Sequence, residues 1–101
     1  MKLIVITAIK AYELAIKAIL KNAQIGSYTY KDVIGFKDGS TEAISTNWFG
    51  TEMNENESIL FFAFVPEALV VSVFESVELF NQSQETLSKI HVALLNIEQS
   101  N

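Results

Sequence analysis

The residues best suited to chemistry are carboxylates gathered in one stretch. Between Lys37 and Glu57 stand Asp38, Glu42, Glu52, Glu55 and Glu57, five acids against one lysine. Hard cations take carboxylate oxygens as ligands, so Glu55 and Glu57, with the single histidine His91, are the candidate metal ligands. Their spacing is not that of an EF-hand. The same acids also suit a basic partner, or an ordinary solvated loop. Trp48 and Phe49 interrupt this polar stretch with two large aromatic rings. Such rings anchor interfaces, stack on a ligand base, or fold back as a lid on the core or on a neighbouring subunit. Asp38, Glu42, Trp48, Phe49 and Glu52 are therefore the candidate docking loop.

His91 lies among apolar neighbours, where a lone histidine is most often a hydrogen-bonded core or interface residue. In a symmetric oligomer its copies would meet near the axis and could bind a transition metal. Lys37 and Lys89 are ammonium groups able to meet a phosphate or carboxylate across a subunit cleft, or to remain surface lysines. Gly35 lets the backbone bend or a ligand approach closely.

Composition excludes several classes of function. The chain has no cysteine, which removes disulfide frameworks, thiolate zinc sites and cysteine nucleophiles. One histidine without a recognisable Ser-His-Asp spacing gives no sign of a catalytic centre, and the protein is expected not to be an enzyme. Seven basic residues, all lysine, face twelve acids for a net charge of −5. That balance argues against nucleic acid, which rewards a clustered basic surface. Leu3–Ile9 is too short, and too soon followed by Lys10 and Glu13, to read as a signal peptide. No stretch approaches the roughly 20 apolar residues that span a bilayer. A soluble cytoplasmic protein, not itself a membrane protein, is the expectation.

The elements that must position these residues follow from periodicity. Lys2–Ala8 is β-branched and apolar, as a strand requires. Tyr12–Ala23 has helical period: Tyr12, Ile16, Ile19, Leu20 and Ala23 share one face, and Glu13 can pair with Lys17 at i, i+4. Gly26 punctuates, and Ser27–Phe36 is a second strand. Residues 37–57 form a long loop, of a length that is often functional. Ser58–Val65 is a third strand. Pro66 stops it and opens a helix to about Asn81, with Val70, Val73, Phe74, Val77 and Phe80 as the buried stripe. Lys89–Ile97 is the last strand.

The order β-α-β-β-α-β over residues 1–101 is a single α+β domain of ferredoxin-like type, an antiparallel sheet with two helices on one face. Strands one, three and four are apolar on both sides. Leu60, Phe62 and Phe64 alternate with Ile59, Phe61, Ala63 and Val65. Two helices cover only one face, and a large apolar patch is rarely left wet. Either copies of the chain cover the second face, or the helices wrap the sheet in another arrangement.

The segment from Ile25 to Gly39, and within it Val33, Gly35 and Phe36, resembles the second strand and loop entry of the P-II nitrogen-regulatory signal proteins, which read Val-x-Gly-Phe-Gly there. Lys89-Ile90-His91-Val92 is similar to that family's Gly-Lys-Ile-Phe-Val last strand, and Met1-Lys2 and Ile9-Lys10 also fit. The resemblance implies a homotrimer with its sheets turned inward and a long loop that engages a target protein. Members commonly accompany transporters, so a membrane transporter or an enzyme is the implied target. It also implies adenine nucleotide at clefts between subunits, contacted by Gly35, Phe36, Lys37 and Lys89. The sequence departs from the family where a glycine-rich phosphate segment precedes the last strand. Asn81–Ser88 has no glycine, and residues 37–57 have no counterpart of the tyrosine modified in some members. A second reading is a divalent-cation protein similar to the CutA-like ion-tolerance family, which shares this trimeric fold.

Overall fold

The computed structural model describes residues 1–36 and 55–101. Strand β1 is Lys2–Ile9. A short 3-10 turn at Lys10–Tyr12 leads into helix α1, Glu13–Asn22. Strands β2, Thr29–Phe36, and β3, Glu55–Val65, follow. A second 3-10 turn, Glu67–Leu69, opens helix α2, Val70–Ser83, and strand β4, His91–Asn96, comes last. The strands form one antiparallel sheet in the order β2-β3-β1-β4. This is the expected α+β ferredoxin-like arrangement with its two helices on one face.

Alternation along each strand divides the sheet into a helix face and an open face. Ile4, Ile6 and Ala8 of β1 and Ile59, Phe61, Ala63 and Val65 of β3 are buried on the helix face. Against them pack Tyr12, Ile16, Ile19, Leu20 and Ala23 from the α1 region, the stripe read from its period. Val70, Val73 and Val77 of α2 close the core. The α2 stripe is narrower than its period suggested. Phe80 is half-buried against Tyr12, edge to face at 4.9 Å between centroids, while Phe74 is 37% exposed. Phe74 lies one position past Val73, on the rim where α2 crosses the sheet's β4 edge.

The third strand begins three residues earlier than its apolar run implied. Glu55, Asn56 and Glu57 pair with Phe36, Gly35 and Ile34. None of the three favours a strand by type, and backbone pairing to β2 overrides that preference. The expected loop end at residue 57 is therefore sheet.

Helix α1 ends in a reciprocal backbone cap. The Gln24 N–H donates to Lys21 O at 3.0 Å and the Ile25 N–H to Leu20 O at 2.9 Å. Both Ile25 and Leu20 are buried, which supplies the hydrophobic contact of a Schellman motif. The left-handed residue that this motif requires is Gln24, at φ 63°, and not Gly26. A side chain there costs about 1 kcal/mol relative to glycine. Gln24→Gly is expected to stabilise the fold by up to about 1 kcal/mol, read from the midpoint of denaturant unfolding.

Candidate functional site

All four strands bring their functional ends to one end of the sheet. β1 and β2 finish there, at Ile9 and Phe36, and β3 and β4 begin there, at Glu55 and His91. Residues 37–54, the 3-10 turn at Lys10–Tyr12, and the 84–90 connection all leave from this end. Lys37, Asp38, Glu42, Trp48, Phe49 and Glu52 lie outside the described residues. Gly35 is buried in β2 opposite Asn56, and Phe36 is exposed at the strand's last position.

Lys89 is exposed immediately before β4, between the buried residues Ser88 and Ile90. With Glu78, Asn81, Gln82 and His91 it lines a cavity of about 420 Å³ between α2 and β4. Strands β2 and β4 are opposite edges of the sheet. Three strand spacings separate them, about 14 Å. One chain thus places Gly35 and Phe36 at the same end as Lys89 but does not bring them together.

The proposed metal ligands also stay apart. His91 is half-buried at the start of β4, opposite Thr7 on the open face. Glu57 is exposed on β3 opposite Ile34, in the register of the helix face, and Glu55 takes the position opposite Phe36. Among the described residues no group of three His, Asp or Glu side chains converges on a point where an ion could sit. Glu57 instead lines a cavity of about 300 Å³ with Lys10, Asp32, Val33, Ile34 and Ser58.

Periodicity gave only one rung of the ladder of charges beside that cavity. Glu13 accepts from Lys17 Nζ at 2.8 Å, the expected i, i+4 pair, and from Lys10 Nζ at 2.6 Å. Lys10 Nζ reaches on to Asp32 Oδ1 at 2.5 Å, and Lys17 Nζ donates to the Tyr30 hydroxyl at 3.0 Å. The same ammonium lies 4.3 Å from the Tyr30 ring centroid. Two lysines therefore tie β2 to the first turn of α1. The hydrogen bonds from Lys10 and then Lys17 hold the Glu13 carboxyl below its usual range. The bonds to Asp32 and Glu13 raise Lys10, and those to Glu13 and Tyr30 raise Lys17. The Asp32 link spans 22 residues, and spacing offers no sign of a contact between a turn and an edge strand.

The open face carries apolar rows across the strands. Phe64, Leu3 and Leu95 form one row; Phe62, Val5 and Ala93 the next. Phe64 is 59% and Leu95 44% exposed. The third row, Leu60–Thr7–His91, is more polar. Thr7 Oγ1 is buried there with no hydrogen-bond partner among the described residues. No helix among the described residues is long and apolar enough to cross a membrane.

Solved structures share this architecture at low identity. The chain is similar to CPII from Thiomonas intermedia K12 bound to ADP, AMP and acetate, at 19% identity and a TM-score of 0.66, covering 97% of this chain and 88% of that one. CPII bound to ADP, AMP and bicarbonate, described as a nitrogen regulatory PII-like protein, gives 18% identity and a TM-score of 0.60 over 97% and 94%. A DUF3240 family protein from Shewanella baltica OS155 gives 14% and 0.67 over 99% and 92%. No family model matches the chain, and no curated protein matches it. The likeness is one of fold: the chain has the PII-like fold over nearly its whole length.

The ladder has a pH signature. The folded pKa of Glu13 lies below its ordinary 4.5. Its stabilisation is therefore present above that value and is lost as pH falls through the folded pKa. Glu13→Gln is expected to flatten the dependence of Tm on pH below 4.5, measured by thermal melts across that range.

Proposed function

We propose that this chain is a P-II-like regulatory protein that senses a small ligand in clefts between the subunits of a homotrimer. It signals by docking on a target protein, a transporter or an enzyme, through residues 37–54, and it catalyses nothing itself. The observation that carries this reading is the placement of Gly35, Phe36 and Lys89. They share one end of the sheet and sit on opposite edges of it, so a neighbouring copy is the economical way to complete a site from them.

The open face supports the same assembly. Apolar rows from three strands, and a Thr7 hydroxyl with no hydrogen-bond partner among the described residues, are what a surface packed on a copy of itself presents. An adenine nucleotide is the favoured ligand, because structures of this fold hold ADP and AMP. The connection before β4 has no glycine to let backbone N–H groups approach a phosphate. Lys89 would then supply the main attraction, as a point charge.

Light scattering should give a mass roughly three times the 11.3 kDa chain. Phe64→Glu, which places a charge on the covered face, should reduce it to that of one chain. ADP at a hundredfold excess over Kd should stabilise the wild type by about 2.7 kcal/mol, read as a rise in Tm. Lys89→Ala should remove most of that rise. A single-chain mass for the wild type would overturn the trimer. A rise with divalent cations and none with ADP would favour the ion-binding reading.

A further inference from the structure

The connection from Gln84 to Ile90 has no helix or strand of its own, and its second half is held by side chains from elsewhere. Asn81, near the end of α2, makes a reciprocal pair with the backbone of Ile90. Its Nδ2 donates to Ile90 O at 2.8 Å and its Oδ1 accepts from the Ile90 N–H at 2.8 Å. One side-chain amide thus does for Ile90 what a neighbouring strand would do. From the other side, the Tyr12 hydroxyl lies 2.9 Å from Thr86 Oγ1 and donates to Ser88 O at 3.2 Å. Tyr12 is itself buried, with Phe80 against its ring.

These contacts fall on either side of Lys89. Ser88 and Ile90 are buried and bonded, while Lys89 between them is exposed. We propose that Asn81 and Tyr12 are positioning residues, which fix the backbone at Lys89 and so the point from which its ammonium reaches a ligand. Clamping the backbone lowers the ordering cost that a flexible lysine incurs when it engages an anion. It compensates for a connection with no glycine to ease a close backbone approach to phosphate. The role in ligand binding rests on the proposed function; the clamp stands on the contacts alone.

Two measurements on the full chain separate these. Amide hydrogen exchange without ligand reads the clamp. Asn81→Leu should speed exchange at Ile90 about tenfold or more while the slowest core amides keep their rates, a local opening and not a global one. Tyr12→Phe keeps the ring against Phe80 and serves as the second variant if Asn81→Leu fails to fold. It should speed exchange across residues 86–89. Unchanged exchange in the folded variants overturns the clamp.

Calorimetry with ADP reads the purpose of the clamp. Asn81→Leu and Lys89→Ala should each weaken ADP, and the double variant should be no weaker than Lys89→Ala alone, because Asn81 acts through Lys89. Losses that multiply overturn the positioning role. Wild-type protein that binds no ADP, together with faster exchange in the variants, overturns the nucleotide reading and supports the clamp.

Discussion

A four-stranded sheet has two faces, and the helices among the described residues cover only one. Every strand position on β1 and β3 must therefore serve one of two surroundings. The helix face receives Ile4, Ile6, Ile59 and Phe61, which α1 and α2 bury within the chain. The open face receives Leu3, Val5, Phe62 and Phe64, which no helix among the described residues covers. Apolar area is driven out of water at about 25 cal/mol per Å², so an open face of this composition is unfavourable to leave in water.

The same sheet gathers the segments that carry the candidate site residues. Because all four strands are antiparallel to their neighbours, the entry to residues 37–54, the Lys10 turn and the 84–90 connection emerge together at one end. Each is held by polar contacts, and Tyr12 and Ile90 also pack into the core. Lys10 and Lys17, bridged by Glu13, fasten β2 through Asp32 and Tyr30. Asn81 and Tyr12 fasten the approach to β4. The lysine contacts to Asp32 and Tyr30 are exposed, whereas those of Asn81 and Tyr12 are part-buried or buried.

Some of this was legible in the residues. The α1 stripe from Tyr12 to Ala23 emerged as buried, residue for residue, because a 3.6-residue period leaves one helix face no alternative. The element order followed from turn residues and β-branched runs. Other features depended on neighbours. Glu55, Asn56 and Glu57 look like loop, and they became strand because β2 was there to pair with them. Phe74 belongs to the apolar stripe by type and lies at the rim by geometry. Gly26 marks a turn, but the left-handed residue is Gln24, placed by the hydrogen bonds that close α1.

The sequence by itself determined the fold class, the apolar character of both sheet faces, and the acidic segment between Lys37 and Glu57. Those properties are local: they rest on residue type and on periods of two and 3.6, which need no partner to be read. The tertiary structure decided which side chains meet. It put Asp32 beside Lys10, Asn81 on the backbone of Ile90, and Gly35 on the edge opposite Lys89. Those relations depend on strand order and on the crossing of α2 over β4, which join residues far apart in the chain. Hydrogen bonds act only over about 3 Å, so no spacing in the sequence could have specified them.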